Sequence, residues 1–263
     1  MPELSVAAWA LLGVSAVIVG LSKTALPGSN TISIAIFAAV LPARESTGAL
    51  LVLLIVADAF AIWIYRRDAD WAALRRLTPT MLGGLLLGVV FLAVAGDAAV
   101  RRVIGVVLLL VIGVTLARRW AGQRAARRSV REGVPVEPSP QPAGGWRRQL
   151  QTGIYGTLGG FTTMVANAAG PVMSMYFLAS GFSVKRFLGT AAWFFAIVNL
   201  LKTPFSVGLG LINTSMLLID LVLLPGVVLG AFAGRSLATR MNQRVFDRLV
   251  ITLTIVGAGY LLV

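Results

Sequence analysis

The sequence predicts an all-α polytopic membrane protein built from two inverted five-element repeats, each with a broken or re-entrant helix near its start. Three observations predict it. The chain is 57% hydrophobic and only 13% charged over 263 residues, and its mean hydropathy is +0.87. Apolar runs near twenty residues, the length that crosses a hydrocarbon layer roughly 30 Å thick, recur throughout. The two halves also align, at offsets of 141–146 residues. Asp58 falls on Asn199 and Gly48 on Gly189, while LGGLLLG (82–88) and VRRVI (100–104) match LPGVVLG (224–230) and FDRLV (246–250). Finally, each half opens on an interrupted apolar stretch, GLSKTALPGSN (20–30) and GGFTTMVANAAGP (159–171).

The elements follow in order. The first repeat (1–117) carries apolar segments over 4–22, 29–41, 46–65, 77–95 and 99–117. The opening MPELSVAAW has no basic leader pattern and reads as the start of a membrane helix. The second repeat (149–263) carries segments over 149–167, 170–181, 186–208, 214–233 and 245–263. Segments 29–41 and 170–181 each allow roughly 18 Å of helix. That is short for a crossing, so they read either as tilted spans or as re-entrant pieces covered by protein. Pro27 and Pro171 suit the first turns of new helices. Glycines four apart (Gly84/Gly88, Gly156/Gly160, Gly226/Gly230/Gly234) let helix backbones approach closely, within one chain or between two copies. Between the repeats, 118–148 is rich in Arg and Pro and ends near Gly144–Gly145, which reads as a flexible tether.

Loop charge sets the orientation. Seventeen Lys and Arg lie in one set of loops: 66–76, the tether, 185–186 and 235–244. The alternate set holds only Arg44, Arg101 and Arg102. The positive-inside rule places the richer set, with the tether, in the cytoplasm and both termini outside. Five elements per repeat then invert the second copy. Trp63, Trp71, Trp146 and Trp193 fall near span ends as interfacial anchors.

Composition removes whole classes of function. There is no Cys and no His, so disulfides, thiol nucleophiles, His bases and the usual Zn or haem ligands are absent. No paired-carboxylate or metal-spaced cluster replaces them, so the reading is no enzyme, no catalytic residue, no metal and no cofactor. The net charge of +13 sits between apolar segments. It points to topology and anionic lipid and not to nucleic acid.

Four ionisable residues fall within the spans: Lys23, Asp58, Lys202 and Asp220. Each costs about 2.5–3.5 kcal/mol at a bilayer centre unless a cavity or partner receives it. Asp58 and its mate Asn199 sit near mid-membrane, with Lys202 one turn beyond Asn199. The expectation is that Asp58 meets Lys202, either as a structural ion pair or as a coupling charge. Lys23 either snorkels to the headgroups or, if its helix stops short, charges the site. Asp220, near a boundary, is assigned no site. Paired breaks at matching places in two halves point to the substrate site of a secondary transporter. Helix starts there present partly positive N–H groups to anions, and Asn30, Asn167 and Asn199 add amide donors.

The stretches GLSKTALPGSNTISIAIFAAVLPARESTGALLVLLIVADAFAIWIYRRDADW and GFTTMVANAAGPVMSMYFLASGFSVKRFLGTAAWFFAIVNLLKTPF resemble the TauE/SafE sulfite and organosulfur anion transporter family. The likeness spans essentially the whole chain apart from the tether. It implies a polytopic inner-membrane permease that moves sulfite, sulfonates or related anions, often outward. The matching positions to favour are Lys23, Thr24, Pro27, Gly28 and Asn30, then Thr163, Asn167, Gly170 and Pro171. Asn199 and Lys202 follow, with Asp58 as the coupling residue. The expected partners are a small sulfur oxyanion and the lipid bilayer, with the chain as monomer or homodimer. A secondary transporter coupled to protons or potential is the first reading, and a passive anion channel the alternative.

Overall fold

The computed structural model describes residues 4–100 and 146–242, with isolated helical positions beyond them. Most of the fifth segment of each half (99–117 and 245–263) and most of the tether (118–148) therefore lie outside the described residues. Every described element is helical: α1 (Val6–Thr24), a 3₁₀ turn (Pro27–Ser29), α2 (Asn30–Val40), α3 (Ala43–Tyr65) and α4 (Trp71–Val94). After the tether come α5 (Trp146–Ala166), α6 (Ala169–Ala179), α7 (Val184–Gly208) and α8 (Thr214–Arg240). Five of these, α1, α3, α4, α7 and α8, are long and apolar enough to cross a membrane. The chain is a multi-pass membrane protein.

Helix ends follow local chemistry. Ser5, Asp70 and Asn213 cap α1, α4 and α8, each accepting a backbone N–H in the first turn. Gly181 (φ 70°) and Gly210 (φ 69°) take the left-handed conformation just past α6 and α7. There the N–H groups of Phe182 and Leu211 reach back to Phe177 O and Ser206 O. Two helices overrun the expected segments. α4 begins at Trp71 and α8 ends at Arg240, because Arg75, Arg76 and Arg235 remain exposed on turns that continue past the apolar stretch. α5 likewise begins at Trp146, inside the segment read as tether.

The glycine ladders pack within the chain. α1 lies parallel to α8. A Cβ on Gly20 would fall 2.0 Å from Val227 O, and one on Gly230 2.0 Å from Val17 O. α4 lies parallel to α5 in the same way: a Cβ on Gly84 would be 2.0 Å from Thr157 O, and one on Gly160 2.0 Å from Met81 O. Backbones this close carry no side chain between them. α3 and α7 cross antiparallel. Gly48 of α3 abuts Leu211 beyond the end of α7, and Gly189 of α7 abuts Tyr65 and Asp68 at the end of α3. The short helices α2 and α6, eleven residues each, fill the centre between these pairs.

Candidate functional site

The two interruptions meet. α1 stops at Thr24, and the chain turns through Pro27–Ser29 into α2. α5 stops at Ala166, and Asn167 takes a positive φ of 53° to start α6. Asn tolerates this conformation far better than most side chains. Gly170 lies directly against the first turn, so that an added Cβ would sit 3.0 Å from Pro27 O. The Asn30 amide donates to Asn167 O at 3.4 Å.

A small cavity of ≈ 20 Å³ opens where the breaks touch. Its walls include Ser22, Lys23, Pro27, Asn30, Thr163, Asn167, Gly170 and Asn199. Seven of the site residues expected from sequence therefore share one lining: Lys23, Pro27, Asn30, Thr163, Asn167, Gly170 and Asn199. Four stand off it. Thr24 donates to Gly20 O and packs against Gly234. The Gly28 carbonyl accepts from Thr31. Asp58 lies behind Lys23 and Asn199, and Lys202 behind Thr163 and Asn167. The volume suits a body about the size of one water; admitting a larger anion requires the walls to part.

The charges are paired differently from the sequence expectation. Asp58 contacts Lys23, not Lys202: Lys23 Nζ lies 2.8 Å from Asp58 Oδ1. That is an ionic contact, not an aligned hydrogen bond, since Oδ1 accepts none. Asp58 Oδ2 instead accepts from the Asn199 amide at 2.5 Å. Lys23 also lies 4.1 Å from the centre of the Phe195 ring, a cation–π contact. Its side chain is only 8% exposed, so it does not snorkel. Lys202 binds the broken end of α5. It donates to Thr163 O at 3.0 Å, to Thr163 Oγ1 at 3.3 Å and to Asn167 Oδ1. A cation at a helix C-terminus is favoured by the aligned carbonyl dipoles. The spacing explains the miss: three residues beyond Asn199 is one turn along but rotated off its face, toward α5 and away from α3.

All three expected amide donors are engaged inside the protein, Asn30 by its long bond to Asn167 O. Asn199 donates to Asp58, and Asn167 donates to Thr47 O at 2.9 Å while accepting from Lys202. Each NH₂ retains a second hydrogen. Asn30, held by that one long bond, is the lining amide least committed elsewhere. Sequence reasoning missed the apolar side of the cavity, Leu54, Ala191, Ala192 and Phe195. Three of these lie four, seven and eight residues before Asn199, on its own helical face, which was the available signal.

The flank beside Ala191 and Ala192 is clamped to the α3–α4 turn. Arg186 pairs with Asp70, and the Asp70 N–H donates to Thr190 at 2.9 Å. Trp193 donates to Arg66 O at 3.2 Å and packs tilted against Trp71, ring centres 5.1 Å apart. Partial burial alone would raise the Asp70 carboxyl. Hydrogen bonds from Ala73 N–H, Arg186 and Ala72 N–H outweigh it and hold the carboxyl below its usual range.

Among the described residues no group of three or more Asp or Glu could hold a metal ion. What the arrangement offers is a small pocket lined by one lysine, amides and two helix starts, with a carboxylate and a second lysine directly behind its wall. A family model described as sulfite exporter TauE/SafE matches residues 12–261. No curated protein and no solved structure compared with the chain matches it.

Proposed function

The chain belongs to the sulfite exporter TauE/SafE family, and on that premise we propose that it is a secondary transporter exporting sulfite, sulfonates or related small organosulfur anions. The observation that carries the reading is a charge imbalance. Around the cavity are two buried lysines, Lys23 and Lys202, and one buried carboxylate, Asp58. Their sum is one positive charge in a water-poor centre, which a bound monoanion completes. Helix starts at Asn30 and Ala169 face the same point and favour the same sign.

In the proposed cycle the anion reaches Lys23 and competes with Asp58 for it, Asn30 adding a further donor. Lys202 acts one step back, by fixing Asn167 and the end of α5. Asp58, displaced from Lys23, keeps Asn199 as its donor and becomes the coupling residue, sensitive to protons or to the membrane potential. The two halves, 1–117 and 149–263, form inverted repeats joined by a cytoplasmic tether, with both termini outside and the chain in the inner membrane. Three observations support the inverted repeats: the antiparallel crossing of α3 and α7, the reciprocal seating of Gly48 and Gly189, and the matched parallel pairs α1–α8 and α5–α4.

Purified chain in vesicles, challenged with sulfite, sulfoacetate and taurine under a proton gradient or a potential, tests the proposal. Saturable flux of a sulfur anion is expected. Failure of the whole panel to move, or unsaturable conductance, would reject it.

A further inference from the structure

Away from the cavity lies a second buried acid that the transport reading does not use. Asp220 sits on α8, 2% exposed, and neither carboxylate oxygen has a hydrogen-bond partner. Among the described residues it joins no ion pair. The ionisable groups on the two helices packed against α8 are engaged elsewhere or remote. On α1 the single candidate is Lys23, held by Asp58. On α3 they are Arg44, Glu45, Asp58 and Tyr65. Arg44 donates to Leu92 O and Ala95 O, and the Tyr65 hydroxyl donates to Thr24 O. Glu45 lies a turn beyond Gly48, which already abuts Leu211 before α8 begins. Lys23 is level with Gly234, roughly 21 Å of helix from Asp220.

An ionised carboxylate in a dry interior with no donor and no cation is among the costliest arrangements a fold can hold. The neutral acid removes most of that cost. A metal cation would need several further oxygens, and no cluster supplies them. We propose that Asp220 is a proton-binding site of the transport cycle, distinct from the anion cavity: the carboxylate takes one proton when exposed to water and holds it, as the acid, in the conformation seen here. Water is close, since Asp220 lies six residues from the start of α8, roughly 9 Å of helix.

The helix carrying Asp220 is locked to the anion site. Gly226, Gly230 and Gly234 bring α8 into backbone contact with α1, and α1 ends in Ser22 and Lys23 on the cavity wall. A tilt of the α1–α8 pair that wets Asp220 therefore also moves Lys23. This inference rests on the transport reading for its role in coupling, while the proton site itself can be tested apart from it.

The test compares the full chain with Asp220→Asn in vesicles, with sulfite as the probe. Sulfite titrates alike for both proteins, so ratios between them are free of it. In the parent an imposed proton gradient is expected to drive sulfite accumulation. Asp220→Asn is expected to lower that accumulation at least tenfold while sulfite-for-sulfite exchange persists. Gradient-driven accumulation within twofold of the parent would overturn the proposal. If the parent moves no sulfite in either mode, the transport reading is what fails. Asp220 is then decided by melting in detergent between pH 5 and 9. A native state holding a proton that the unfolded chain releases loses stability as pH rises, so the parent is expected to fall relative to Asp220→Asn. A difference between them that does not change with pH, or that follows sodium instead, would overturn it.

Discussion

Replacing Lys23 by Met removes one partner of a buried ion pair and leaves the other in place. The size of the effect follows from the surroundings. The Lys23 and Asp58 side chains are 8% and 2% exposed at 2.8 Å, so exposed-pair values of about 0–1 kcal/mol do not apply. Stranding one charge of a buried pair costs about 3–5 kcal/mol. Asn199 keeps its bond to Asp58, which argues for the lower end. Adding Asp58→Asn removes the stranded charge, and swaps of a whole buried pair for neutral groups of similar volume are often neutral or stabilising. Lys23→Met alone is therefore expected to lose about 3 kcal/mol, and Lys23→Met with Asp58→Asn to regain most of it. Denaturant or thermal melting of the four proteins in one detergent closes the cycle. A double variant no more stable than Lys23→Met, with coupling under about 0.5 kcal/mol, would show that the two residues do not share a dry site, and the charge argument for anion binding would go with it.

Other outcomes follow from the same geometry. Asn167→Gly keeps the left-handed backbone but removes one of the three acceptors of Lys202; it is expected to fold and to bind sulfite more weakly, read as a smaller ligand-induced rise in melting temperature. Gly160→Leu or Gly230→Leu forces a side chain into backbone contact and is expected to cost at least about 1–3 kcal/mol. Gly83→Ala, with nothing within 4 Å of the added Cβ, should cost nothing, and melting of all three separates packing glycines from incidental ones. Asp70→Ala removes the α4 cap, at about 1 kcal/mol. Because the Asp70 carboxyl is held below its usual range, its contribution is complete above the unfolded value near 4 and is lost as pH falls through the lower folded value. The gap between parent and Asp70→Ala should therefore close in acid. Its Arg186 part is surface-exposed and should shrink in high salt.

Segment positions were legible because a bilayer demands twenty apolar residues and tolerates interruptions only where protein covers them. The breaks at 20–30 and 159–171 announced themselves as Gly, Pro and Asn in apolar text, and seven of their residues do line one cavity. Pairing was not legible. Whether Asp58 meets Lys23 or Lys202 depends on how α1, α3 and α7 rotate about their axes, and a difference of one helical position decides it. The apolar wall was hidden for a different reason: Phe195, Ala191 and Ala192 look like any lipid-span residues until Asn199 is known to face inward. Asp220 shows the limit of reading depth from sequence alone. Its place near a span boundary gave no reason to assign it a site, yet the fold buries it, 2% exposed.

The two lysines differ in what restrains them, and that difference bears on which one responds to a ligand. Lys202 is held by a backbone carbonyl, a hydroxyl and an amide oxygen: neutral acceptors that are part of the end of α5, so releasing it would also leave that helix end without its cation. Lys23 is held by a carboxylate and an aromatic face, and the carboxylate keeps a second donor in Asn199 when Lys23 leaves. The backbone around Lys202 thus loses a structural partner on release, whereas Asp58 retains one. An entering anion that offers Lys23 a replacement charge exchanges like for like at the lysine, while Asp58 keeps Asn199 as its donor and bears the cost of losing its cation. The lysine on the cavity wall is therefore the mobile one, and the lysine behind it is the fixed one that keeps Asn167 in its left-handed turn.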